Sequence, residues 1–364
     1  MASIVVFALL FILSFVILPF GATQFENPKV ILAEGGILLL FLLQLFTNSI
    51  RFQFKNVFVL LLGILLLLSV VDIVFLQTNI TFFGNVIRMQ GVFLLWLLLL
   101  FSWLSSQIVV KRIHYLWYML LLLIECVAIF FLPINESGRY VGTLGEPNAL
   151  AAFAIFLWPF IFFGIKKFGK KEVVSIILSL VLMGIILFFS GSRSGLIAFG
   201  IEIVCVLFLK WKFSLTKILI ICFCLYGLSY TLPFFQNTPH ENRIEIWKAA
   251  VFAGSTHPLL GSGFGNAEIV LHNAAVRHGL EVQHSYIDSS HNIFLDFWVE
   301  GGIIGVGVLI ALVILATQSF VNENNKRNLV LLLGVLTVLS FNPSSVSGLL
   351  GFWWLIGQGM KKFL

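Results

Sequence analysis

"VFVLLLGILLLLSVV" (residues 57–71) decides the class of this chain. It has no charge, no proline and a single hydroxyl side chain. "EVVSIILSLVLMGIILFFS" (172–190) repeats the pattern, and similar runs recur from end to end. Their lengths approach the roughly 20 residues a helix needs to cross hydrocarbon. The composition agrees. The 364 residues are 60% hydrophobic and only 10% charged, where a soluble domain has about a quarter charged. Mean hydropathy is +1.06. The reading is an all-α polytopic membrane protein, one integral domain over residues 1–364.

Twelve spans are expected, near 3–20, 30–47, 56–76, 91–110, 114–133, 147–166, 172–190, 194–210, 214–232, 292–316, 327–341 and 345–360. The run at 4–18 lacks a basic leader and a small-residue cleavage site, so it is expected to stay as a first helix. An even count puts both termini on one side. Of the 22 Lys and Arg residues, fifteen fall on that side and seven on the other. The bias makes the termini cytoplasmic and turns the odd-numbered connections outward. The expected location is the cytoplasmic (inner) membrane. Cys126, Cys205, Cys222 and Cys224 all lie in apolar runs and read as small buried hydrophobes.

The outward side holds the unusual chemistry: "GNVIRMQG" (84–91), "NESGRYVGTLGEPNALA" (135–151), "SGSRSG" (190–195) and a loop over 233–290. That loop exceeds ordinary connection lengths and is expected to be functional. Within it "ENRIEIWKAAVFAG" and "AEIVLHNAAVRHG" read as short amphipathic helices on the membrane surface, joined by a turn at "GSGFG". "GSGFG" (261–265) resembles a fragment of a nucleotide-binding loop but follows no strand, and no Walker motif or DNA-binding pattern is present.

Arg88, Arg139, Arg193 and Arg243 sit at outward span ends, where the positive-inside rule disfavours them. Together they suit a diphosphate. Alternatively, each snorkels to headgroups or pairs with Glu136, Glu146 or Glu241. Six of the seven histidines are outward, and His284 and His291 bracket "HSYIDSSH" ahead of span ten. A neutral imidazole can activate a hydroxyl. Asn292 either caps that span or orients a substrate group, and Asp296 and Glu300 share one of its faces. Histidine spacings typical of zinc are missing and no outward cysteine exists, so neither metal nor cofactor is expected. Glu125 and Glu202 lie about 12 Å below the outer surface. Carboxylates there are protonated, paired or beside water.

Four stretches, "GRYVGTLGEPNALAA" (138–152), "SGSRSGLIA" (190–198), "NRIEIWKAAVFAGSTHPLLGSGFGN" (242–266) and "HSYIDSSHNIFLDFWVEGGIIG" (284–305), follow one another as in the O-antigen ligase and O-antigen polymerase superfamily, which this chain resembles. His291-Asn292 is followed by Gly302, matching that family's spacing. The resemblance implies a GT-C-like membrane glycosyltransferase with twelve helices, whose donor is a glycan on undecaprenyl diphosphate. It implies that Arg193 and Arg243 hold the diphosphate and that His291 deprotonates the acceptor hydroxyl for inverting attack. The resemblance also puts arginines in place of a metal, and further substrate contacts are expected from Arg88, Arg139, His284, Asn292 and Glu300. The acceptor is a glycolipid (lipid A–core) in ligases, a lipid-linked glycan in polymerases and a protein hydroxyl in protein-glycosylating relatives. Glu146 departs from the family, where asparagine is common. A transporter of the same lipid-linked material is the alternative class, with Glu125 and Glu202 in its favour.

Overall fold

A computed structural model describes residues 1–50, 56–108, 113–167, 169–211, 243–280 and 287–361. All its named elements are helical. The first, α1 (Ala2–Phe7), runs on through a π turn (Ala8–Ile12) into a 3-10 turn (Leu13–Phe15). Then come α2 (Glu26–Phe46), α3 (Val57–Leu76), α4 (Asn79–Phe83), α5 (Val92–Ser106), α6 (Tyr115–Ala128) and α7 (Pro147–Gly164). They are followed by α8 (Lys170–Ser190), α9 (Arg193–Trp211), α10 (Arg243–Thr256), α11 (Ala267–Arg277), α12 (Ile293–Asn322), α13 (Lys326–Leu339) and α14 (Val346–Met360). A helix lies at eleven of the twelve expected spans. The ninth, 214–232, falls outside the described residues.

Among the described residues, five helices are long and apolar enough to cross a bilayer: α2, α3, α7, α8 and α12. Three shorter apolar ones are Ala2–Phe15, α5 and α6. This establishes a polytopic membrane protein; the full count of twelve remains a proposal. Leu60, Leu67, Val74 and Phe75 on α3, and Val174, Ile177 and Val181 on α8, are more than half exposed. Such apolar faces are what lipid solvates and water does not.

The centre is α7 and α14. From Leu349 to Met360 every residue of α14 is buried, including Trp353 and Trp354. Lipid gives little hydrophobic drive for helix association, so close contact must hold them. Two glycines permit it: a side chain on Gly357 would strike Ser102 of α5, and one on Gly359 would strike Ala316 of α12. Gln358 Nε2 then donates to the Ser105 carbonyl at 2.9 Å.

Helix α12 breaks at Gly302, whose φ of 61° lies in the left-handed region. The break frees backbone groups, and the segment after α10 takes them. Ser262 and Gly263 N–H donate to the Val299 and Glu300 carbonyls at 2.8 and 2.9 Å, and Ile303 N–H donates to Pro258 O at 2.9 Å. A Cβ at Gly302 would collide with the Leu259 backbone. The glycine of the His-Asn spacing is therefore where the segment after α10 is joined to the bundle. A second core forms beside it: Ile246, Ala250 and Ala253 of α10, Leu271 and Ala275 of α11, and Val299 of α12. The two short helices between the expected loop's limits thus pack on the upper part of α12.

Candidate functional site

Asn292 is the N-cap of α12. Its Oδ1 accepts from Phe294 N–H at 2.9 Å and Leu295 N–H at 3.3 Å, satisfying two donors left open by the first turn. This role occupies the Asn292 side chain. The preceding turn is fixed as tightly, since Ser290 N–H donates to Asp296 Oδ1 at 2.7 Å and Ser290 Oγ to the Asn292 carbonyl at 2.9 Å. Between them His291 is buried and adopts φ 58°, an uncommon left-handed conformation for a residue with a side chain. Strain of this kind clusters at functional sites.

His291 Nε2 lies 3.7 Å from Asp288 Oδ1, while Arg88 Nε donates to the other carboxylate oxygen at 2.5 Å. Burial alone raises an acid's pKa, yet Arg88, with His291 beside it, brings the Asp288 carboxyl well below the usual carboxylate range. Burial disfavours the Arg88 cation, but Asp288, Glu146 and Glu26 more than offset this and hold it above its ordinary range. Glu146 Oε2 is 3.9 Å from Arg88 Nη1. The family departure at 146 thus supplies Arg88 with a second carboxylate. Arg88 Nη1 also donates to the Ser344 carbonyl at 3.2 Å, as does Gln90 Nε2 at 2.7 Å.

The start of α9 carries a second network. Ser192 Oγ accepts from Gly195 N–H at 3.2 Å and donates to Asn148 Oδ1 at 3.0 Å. Arg139 reaches the same oxygen through Nη2 at 2.9 Å and the Ser190 carbonyl through Nε at 2.7 Å. Ser194 Oγ accepts from Asn342 Nδ2 at 2.6 Å, and Arg243 Nη2 donates to Asn342 Oδ1 at 3.4 Å. Asn342 and Ser344 stand two apart in "SFNPSS" (340–345). That connection therefore ties the Ser194–Arg243 end of the network to the Arg88–Asp288–His291 end.

A cavity of ≈ 90 Å³ lies below Arg88 and Asp288. Asp296, Glu300, Ser289 and Ser344 line its polar part, and Leu94, Leu98, Phe297 and Trp353 its apolar part. Glu300 Oε1 accepts from Gly265 N–H at 2.9 Å, and Asp72 Oδ2 accepts from Phe264 N–H at 3.1 Å. The "GSGFG" turn is held on these two carboxylates, so Glu300 positions a loop as well as facing the cavity. His284 lies outside the described residues. Among the described residues, no three His, Cys, Asp or Glu side chains group as a metal site.

Glu125, open in the sequence, is paired. It accepts from Thr143 N–H and Thr143 Oγ1, both at 2.7 Å, while Lys29 Nζ donates to the Thr143 carbonyl at 2.6 Å. Sequence reasoning did not single out Asp288, Asn148, Asn342 or Ser344. For Asp288 a signal was present, an acid three residues before the histidine. For the other three only polarity at an outward span end could have pointed to them.

The fold and site define an integral membrane protein with a buried histidine beside the Arg88–Asp288 ion pair, at the mouth of a broken helix. Residues 178–310 match the family model described as O-Antigen ligase, a stretch running from α8 past the break in α12. Over that stretch the chain is similar to the O-antigen ligase family that its motifs resemble, and His291, Arg193 and Arg243 all fall within it. A Haemophilus influenzae protein described as an uncharacterized protein is 25% identical over 224 residues. That alignment covers 53% of this chain and 55% of the relative, so the chain spans about half of that protein's length.

Proposed function

We propose that the protein is a glycosyltransferase of the O-antigen ligase type. It moves a glycan from undecaprenyl diphosphate to an acceptor hydroxyl at the outer face of the cytoplasmic membrane. The observation that carries this reading is the Arg88–Asp288–His291 arrangement at the head of α12. An imidazole backed by a carboxylate that stays ionised is suited to accept a proton, because the carboxylate stabilises the imidazolium that forms.

In the proposed step, the acceptor O–H gives its proton to His291 and the oxygen attacks the anomeric carbon. The bond from that carbon to the phosphate oxygen breaks, inverting the centre, and undecaprenyl diphosphate leaves with the electron pair. Arg193 and Arg243 would neutralise the charge growing on it, the work for which many glycosyl transfers use a metal. Arg88 is committed to Asp288 and Glu146, and Arg139 to Asn148 and Ser190. Both are assigned to holding the site, and Arg193 and Arg243, carried over from the family motifs, are assigned to the diphosphate.

The test compares wild type with His291→Ala in a strain lacking the gene, at equal protein levels. Accumulation of undecaprenyl-diphosphate glycan with loss of the glycoconjugate is expected, and the missing product names glycolipid, glycan or protein as acceptor. Unchanged glycoconjugate with the variant sinks the assignment of His291 and favours lipid-linked transport.

A further inference from the structure

The first turn of α2 ties together the loops that meet around Arg88, and the proposed transfer step makes no use of it. Asn27 is buried and donates through Nδ2 to the Val86 and Ile87 carbonyls at 2.9 and 3.3 Å, on the loop that carries Arg88. Lys29 is fully buried and donates through Nζ to the Thr143 carbonyl at 2.6 Å, just ahead of Glu146. Phe25 packs where a side chain on Gly145 would stand. Glu26 Oε1 accepts from the Val346 N–H at 2.6 Å. Val346 opens α14 and follows closely on Ser344, whose carbonyl receives both Arg88 and Gln90. The stretch "FENPK" (25–29) thus joins the loop of Arg88, the loop of Glu146 and the 340–345 connection.

Glu26 is the acid of this turn. Burial opposes a charge on it, whereas Lys29, Arg88 and the N-terminus of α14 favour one, with Glu146 as the other acid nearby. Arg88 then stands among the carboxylates of Asp288, Glu146 and Glu26. Whatever part of the guanidinium charge Glu26 balances, Asp288 need not balance. More of the Asp288 charge is left for the imidazole that faces its other oxygen.

We propose that Glu26 is a positioning residue for the transfer, acting through Arg88 so that Asp288 stabilises the proton that His291 takes from the acceptor. Glu26 itself takes no proton in the step, which passes from the acceptor oxygen to His291 alone. This assignment rests on the glycosyltransferase reading and adds a residue to it.

The test reads the ionisation midpoint of His291 without substrate, from deuterium exchange at its ring C2 position across pH, in full-length protein in nanodiscs. Asp288 and Asp296, the acids that face His291, stay the same in every variant. Glu26→Gln keeps an acceptor for the Val346 N–H but carries no charge. It should lower the midpoint by about half a pH unit, because losing a nearby negative charge disfavours the imidazolium. The acid limb of the transfer rate should move down with it. Glu26→Asp keeps the charge and should stay near the wild-type midpoint, as should Glu136→Gln, which removes an exposed acid elsewhere. An unmoved midpoint in Glu26→Gln, or an equal fall in either of the other variants, overturns the assignment. The two readings separate. A midpoint lowered by Glu26→Gln without transfer by wild type rejects the transferase and keeps the coupling of Glu26 to His291; transfer by wild type with an unmoved midpoint does the reverse.

Discussion

Asp288 faces the Arg88 guanidinium with one carboxylate oxygen and the His291 imidazole with the other. Its depressed pKa has a consequence for stability. Stabilisation from such an acid is complete above its unfolded value of about 3.9 and is lost only as pH falls through the lower folded value. Between about pH 5 and pH 8 it should therefore be constant. Asp288→Asn removes the nearest carboxylate from Arg88, leaving it Glu146, Glu26 and the Ser344 carbonyl, so a loss of about 3 kcal/mol is expected, near the low end for breaking a buried pair. The unfolding midpoint of purified protein should drop equally at both ends of that pH range; a drop confined to one end contradicts the ion-pair account. Replacing the base itself is expected to slow transfer by about 10²–10⁴-fold. Arg88→Ala should slow it less if Arg88 acts only through Asp288. Steady-state rates on a saturating donor check that order.

Helix α12 shows what an element's sequence does and does not reveal. Its start was legible, because His-Asn before an apolar run is a cap followed by a span. Its break was not, because glycine is common in membrane helices and Gly301-Gly302 reads like any other pair. Only the loop threading through the gap shows why position 302 must be glycine. A side chain there meets both an unfavourable φ, costing about 1–2 kcal/mol, and the Leu259 backbone. Gly302→Ala should therefore destabilise the protein by more than that strain alone and free the 258–263 segment to proteolysis. Gly307→Ala is the matched control, because no atom lies within 4 Å of its added Cβ and its φ is ordinary. It should be neutral or stabilising by up to about 1 kcal/mol. Equal losses for the two would mean that general helix packing, not the break, accounts for Gly302. Asn342 was illegible for a related reason, and the acid three residues before His291 was only a faint signal for Asp288: polar loop residues acquire meaning from partners brought near by the fold, here Ser194 and Arg88.

At the scale of the molecule, long apolar runs set helix limits, and the Lys/Arg bias set the proposed orientation. That orientation has a direct check. With native cysteines replaced, a cysteine at Arg277 should react with a membrane-impermeant thiol reagent in intact cells, and one at Lys167 only after permeabilisation. The reverse pattern would put the His291 site on the cytoplasmic side and end the account of an outward-facing enzyme. The apolar exterior, the buried pair α7 and α14, and the Arg88–Asp288 ion pair at the mouth of α12 together describe an apolar bundle that holds charged groups at one end of a broken helix. The most direct test of the central claim is a single-turnover reaction in proteoliposomes carrying a lipid-linked glycan and an acceptor, comparing wild type with His291→Ala. The account predicts that wild type releases one undecaprenyl diphosphate per glycosidic bond formed, with the anomeric centre inverted, and that the variant does neither. Retained configuration, or bond formation by His291→Ala at the wild-type rate, would contradict it.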